Sequence, residues 1–241
     1  MASMSAERLD VTEPLGAGEV LASTFREYGR RPLTYVAIGT VEALAGLTTY
    51  SGSGIPLIGG VVIVGVAFVV CFAAAVSVSS GWSRHESLQR LRNGAAALAG
   101  LTLIVGLPAT LGRIDAIFTL LAILWLALTS FSVPIIMREQ REGRRVGLHG
   151  MLVALKRSMT MSQTAFLHAL AVVLILYVVT VLITSLLAGA LGNFGDQTEL
   201  AAFVISRAVL VPIVFIGLAV LYFDQRTRMF GATEEPAGER A

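Results

Sequence analysis

Long apolar runs constrain this chain more than any other feature. Residues 33–50, 56–80, 95–112, 115–137, 164–190 and 200–223 are each predominantly apolar, and an α-helix crosses a bilayer with about 20 such residues. A helix on the surface of a soluble protein carries a polar face, so runs of this length with almost no charge predict membrane spans. Composition agrees: 55% of the 241 residues are hydrophobic and only 14% are charged, against about a quarter charged in soluble domains. The expected fold is therefore all-α, a polytopic membrane helix bundle of about six transmembrane helices plus two cytoplasmic interfacial amphipathic helices. It divides into a polar N-terminal segment (1–17), a six-span membrane domain (18–229) and a disordered cytoplasmic tail (230–241), where ATEEPAGERA lacks apolar periodicity.

Charge between the spans sets the expected direction of insertion, because Lys and Arg are retained on the cytoplasmic side. One set of segments holds Arg8, Arg26, Arg30 and Arg31; Arg84, Arg90 and Arg92; Arg138, Arg141, Arg144, Arg145, Lys156 and Arg157; and Arg226, Arg228 and Arg240. The opposite connections hold one basic residue, Arg113, and Arg207 lies within the sixth span. Both termini are thus expected in the cytoplasm of a multi-pass protein of the inner membrane. The opening MASMSAERLDVTEPLGAGEV is polar throughout, unlike a secretory signal. Cys71 is the only cysteine, which excludes an intramolecular disulfide and a cysteine metal cluster. Of eighteen basic residues all but Lys156 are Arg, but they cluster at helix ends, so no nucleic-acid partner is expected.

Spans 3 and 4 are separated only by Gly106, Pro108, Gly112, Arg113 and Asp115. This reads as a tight outer hairpin; a broken or re-entrant helix is the alternative. Pro134 reads as an ordinary kink. Two cytoplasmic stretches have helical apolar stripes beside basic residues: Leu21, Phe25 and Tyr28 in GEVLASTFREYGRR, and Leu148, Met151, Leu152, Leu155 and Met159 in LHGMLVALKRSMTM. Each leads into a span, at Leu33 and at Thr164, and setting Arg26 against Arg157 aligns the two transitions. That pattern suggests a parallel internal repeat, or simply two amphipathic helices that each precede a span.

The order GEVLASTFREYGRRP, FSVPIIMREQREG, MLVALKRSMTMSQTAFLHAL and LYFDQRTRM around six spans resembles a large prokaryotic family of uncharacterised integral membrane proteins. That family is similar to the membrane domain attached to some glycerophosphoryl diester phosphodiesterases. The resemblance covers Gly18 to Met229, and its most specific pieces are Ala154, Leu155, Arg157 and Ser158, then Tyr222, Asp224, Arg226 and Arg228. It implies a helical membrane protein of unknown activity. It does not imply phosphodiester hydrolysis, since the soluble catalytic barrel has no counterpart here.

Ionisable groups inside spans are the first functional candidates. Glu42 has Gly39 and Gly46 at i−3 and i+4, a small-residue face that another helix can approach closely. It reads as a proton or cation site, as half of an ion pair with Arg207, or as a satisfied interhelical contact. Counting from Leu33 and Phe223 puts Glu42 about 14 Å and Arg207 about 24 Å from the cytoplasmic boundary, so Arg207 is expected to snorkel outward. His168, near the start of span 5, is expected to be hydrated or hydrogen-bonded without a special role. Arg144, Arg145, Lys156 and Arg157 are candidate contacts to anionic lipid head groups, although orienting the protein suffices to explain them. Asp224, Arg226 and Arg228 are expected to form local salt bridges, and Ala96, Gly100, Gly60 and Gly65 to serve helix packing.

Several chemistries are excluded. Ser53 lies in an outer loop and span 6 has no His, against intramembrane serine proteolysis; only Glu42 lies well inside a span, against aspartyl proteolysis. Phosphate loops, HExxH and clustered metal ligands are lacking, so no cofactor and no enzymatic activity are expected. The expected function is a structural or accessory membrane protein with the lipid bilayer, anionic lipids and other membrane proteins as partners. The rival is a small-solute or lipid transporter or channel using Glu42.

Overall fold

The computed structural model describes residues 13–49, 57–106, 116–138, 146–191 and 196–230. Every regular element among them is helical: α1 (Ala17–Arg30), α2 (Pro32–Leu47), α3 (Leu57–Ser79), α4 (Arg84–Leu101), α5 (Ala116–Thr129), α6 (Ser132–Arg138), α7 (Leu148–Thr164), α8 (Phe166–Leu191) and α9 (Asp196–Phe230). A π-helical turn, Thr102–Gly106, extends α4. The Trp125 indole N–H donates to the Ile104 carbonyl in that turn at 2.6 Å.

Among the described residues four helices are long and apolar enough to cross a membrane: Gly59–Ser79 in α3, Thr119–Arg138 through α5 and α6, Phe166–Ala190 in α8 and Leu200–Met229 in α9. The first expected span forms α2, which is apolar but only 16 residues long. The third begins inside α4, whose first turns are polar, and leaves the described residues after Gly106. The connection at Pro108 to Asp115, with its hairpin or re-entrant alternatives, lies outside the described residues, as do Arg144, Arg145 and the tail after Phe230.

The 35-residue α9 is the axis of the bundle, packing against α1, α2, α3, α7 and α8. Its contact with α3 is aromatic, with the Phe215 ring 5.1 Å from Phe68 and 5.5 Å from Phe72. Two helix–elbow–helix units flank α9. Gly16 and Gly147, 131 residues apart, each cap the N-terminus of a helix in extended conformation. The next helix in each unit follows a single-residue elbow, at Arg31 (φ −141°, ψ 54°) and at Ala165 (φ −144°, ψ 55°). Each elbow carbonyl accepts the first hydrogen bond of the following helix, from Tyr35 N at 3.2 Å and from Ala169 N at 3.0 Å. The helix starts keep the spacing seen in the sequence, whereas the elbows fall three residues off that register, α7 having 17 residues to the 14 of α1.

The buried faces of α1 and α7 differ from the apolar stripes. Helix α1 buries Val20, Thr24 and Glu27, while Phe25 is half exposed. Helix α7 buries Met151, Ala154, Ser158, Met161 and Ser162, leaving Leu148, Leu152 and Val153 outside. Leu21 and Tyr28 of the α1 stripe and Met151 of the α7 stripe nevertheless pack in or against the apolar core.

Basic residues at this end of the bundle act on helix termini. The Arg31 guanidinium donates to Val78 O at the end of α3 at 3.1 Å, and that of Arg90 to Met137 O at the end of α6 at 2.9 Å. Cations suit these positions because the last carbonyls of a helix lack backbone partners and carry the negative end of its dipole. Arg90 also stacks on Trp82, 4.2 Å from the ring centroid. Arg90→Ala is expected to destabilise the protein by about 1–2 kcal/mol, since it strands buried carbonyls; Arg92→Ala, on an exposed position, should be within about 0.5 kcal/mol of the parent. Thermal unfolding of both variants in detergent checks this.

Candidate functional site

Glu42 and Arg207 meet. Arg207 Nε donates to Glu42 Oε2 at 2.9 Å and Nη2 donates to Oε1, a two-point fork that matches the planar guanidinium to the carboxylate. Glu42 is fully buried and the Arg207 side chain 12% exposed. The Phe203 ring lies one turn away on α9, its centroid 5.2 Å from Arg207 Cζ.

The sequence explains why α2 can come so close. A Cβ on Gly39 would overlap the Ala208 carbonyl oxygen and lie 2.7 Å from Pro212 Cγ; one on Gly46 would lie 3.3 Å from Arg207 Nε. Pro212 has no N–H, so the Ala208 carbonyl loses its helical donor and turns its oxygen toward Gly39. Helix α2 is also held to α3, where the Cys71 thiol donates to Ile38 O at 3.4 Å. Two further packing glycines behave as expected: a Cβ on Gly60 would meet Thr48 O at 2.6 Å, and one on Gly100 would overlap Met151 Sδ.

The expected outward snorkelling of Arg207 is therefore overturned. The depth estimate assumed that spans 1 and 6 reach the cytoplasmic boundary at the same level. Instead α9 continues to Phe230 and packs against α1 at its end, where Asp224 and Arg228 hold Leu15. Helix α2 thus begins about two turns, about 10 Å, further along the bundle. With that offset Gly39 faces Ala208 and Glu42 faces Arg207.

A second polar cluster gathers Asp224, Arg228, His168 and Leu15. Asp224, fully buried, accepts from Leu15 N at 2.7 Å and from Arg228 Nε at 2.9 Å, and Arg228 Nη2 donates to Leu15 O. His168 Nε2 lies 3.2 Å from Asp224 Oδ2 but out of line for a hydrogen bond. The expected local salt bridge exists, and its additional partner is the backbone just before α1, which no spacing in the sequence reveals. His168, expected to be hydrated or hydrogen-bonded, thus lies against a carboxylate. At the other end of α1, Tyr35 OH donates to the buried Glu27 at 2.9 Å. Tyr28 stacks on Tyr35, and burial raises its phenol above the ordinary range.

Of the candidate lipid contacts in the described residues, Lys156 is exposed and Arg157 half-buried. No group of three or more His, Cys, Asp or Glu among the described residues could hold a metal ion. No family model, curated protein or solved structure matches this chain.

Proposed function

We propose that this protein is a non-enzymatic structural or accessory component of the cytoplasmic membrane, built on six spans with both termini in the cytoplasm. The family resemblance to stand-alone relatives of phosphodiesterase membrane domains belongs to the same proposal. The observation that carries it is the closed Glu42–Arg207 pair: the most deeply placed charges neutralise each other across a glycine-lined helix contact. A carboxylate used for transport must face a path for its ligand. In this reading α1 and α7 lie at the inner interface, and Lys156 and Arg157 meet anionic head groups there.

The native Cys71, 3% exposed and bonded to Ile38 O beside α2, reports on such a path without any substitution. In lipid nanodiscs a small water-soluble methanethiosulfonate should leave Cys71 unmodified until detergent denaturation. Rapid modification in the native state would mean that water reaches the α2–α3–α9 interior, and would favour the small-solute or lipid transporter instead. Span number and direction are checked separately. In a Cys71→Ala background, Ser53→Cys should label from the outside of sealed cells and Ala237→Cys only from the inside.

A further inference from the structure

The fourth spanning helix is broken. Helix α5 ends at Thr129, Ser130 and Phe131 are not helical, and α6 restarts at Ser132 with Pro134 in its first turn. The break releases carbonyls that an uninterrupted helix would use internally. Helix α7 answers with hydroxyls: Ser158 Oγ donates to Leu128 O at 2.8 Å, and Ser162 Oγ lies 2.8 Å from Ala127 O and 3.3 Å from Leu128 O. All of these serines are fully buried, including Ser130, whose hydroxyl has no partner. Gln225 is fully buried as well, with both ends of its amide unpartnered. It lies one turn beyond Tyr222, whose ring is 6.3 Å from that of Phe131, the residue after Ser130.

Two carbonyls at the negative end of a helix dipole therefore meet the hydroxyls of Ser158 and Ser162 in the protein interior, and the unpartnered hydroxyl of Ser130 stands two residues on from Leu128. Irregular backbone within a spanning helix is tolerated where it is buried in protein, and in such places its carbonyls coordinate small cations. The donor set is neutral oxygen. That suits a monovalent ion; a divalent ion would need carboxylates to offset its dehydration.

We propose that the break between α5 and α6 binds a monovalent cation of sodium's class, held by the Ala127 and Leu128 carbonyls and by the hydroxyls of Ser158, Ser162 and Ser130. Binding rotates the two α7 hydroxyls so that their oxygens face the ion instead of donating to the carbonyls. The ion then clamps α7 to the broken span. This goes beyond the accessory role proposed above and holds whether or not that role is correct, because it concerns a different part of the bundle.

The test is thermal unfolding of the full chain in nanodiscs in 150 mM NaCl against 150 mM N-methyl-D-glucamine chloride, which keeps ionic strength equal. Sodium should raise Tm by about 3 °C or more in the parent. Ser130→Ala, which removes no protein hydrogen bond, should shift the sodium midpoint several-fold upward, and Ser162→Ala should abolish the effect. Thr160→Ala, exposed on the same helix, should leave it intact. If Ser162→Ala fails to fold, Ser130→Ala and sodium-23 line broadening on the parent decide. Equal Tm in the two salts, or a sodium effect unchanged in both Ser130→Ala and Ser162→Ala, would overturn the proposal.

Discussion

Arg207→Met is expected to destabilise the protein by about 3–5 kcal/mol, and Glu42→Leu by a similar amount, whereas the double variant should return to within about 2 kcal/mol of the parent. Each single change leaves one charge in the interior: the carboxylate of Glu42, fully buried, or the guanidinium of Arg207, 12% exposed. Replacing both removes the desolvation penalty together with the attraction, so most of the loss disappears. The measurement is unfolding in detergent followed by a coumarin maleimide that reacts with Cys71 as it becomes exposed. Additive effects of the two changes would show that the residues do not act as a pair. A double variant as stable as the parent would assign the pair to fixing the depth of α2 along α9, since buried ion pairs are best attested as registers.

Gly39→Leu should be at least as damaging as either single charge change, and for a different reason. Its first side-chain carbon falls on the Ala208 carbonyl oxygen and within 2.7 Å of Pro212 Cγ. The obstacle is backbone and a rigid ring, so no rotamer relieves it, and α2 and α9 must separate by on the order of 1 Å or more along the contact. The Glu42–Arg207 fork would open as a result. A loss of about 3 kcal/mol or more is expected. Gly29→Ala is the control, because a Cβ there meets nothing within 4 Å; it should stabilise by up to about 1 kcal/mol through helix propensity. Equal behaviour of the two glycines would mean that α2 and α9 do not make this close contact.

Much of this arrangement could be read before any coordinates. Four of the expected spans are helices long enough to cross a membrane, because run length and lack of charge are local properties that survive whatever the helices pack against. The glycines around Glu42 marked a close helix contact correctly, since a missing side chain permits approach in any context. That two amphipathic stretches each lead into an apolar helix was also visible, although their common elbow angles were not, and the elbows lie three residues off the register read from the sequence.

Other features depended on the position of one segment relative to another. Arg207 was placed outward because the depth of a residue in its own helix does not say where the neighbouring helix begins; the packing of α1 against the end of α9 raises α2 and brings Glu42 level with Arg207. The apolar stripes marked α1 and α7 as amphipathic helices without showing which residues are buried, because a buried face is chosen by its partner. For α7 that partner is a broken helix with free carbonyls, which Ser158 and Ser162 satisfy better than leucine can. Leu15, an unremarkable residue in a polar segment, became a partner of Asp224 only because the chain returns to α9 after more than two hundred residues. Solvent class and span length follow from local composition and need no partner. Charge pairing, helix faces and the hydroxyl contacts at the broken span are long-range contacts, and only the packed chain decides them.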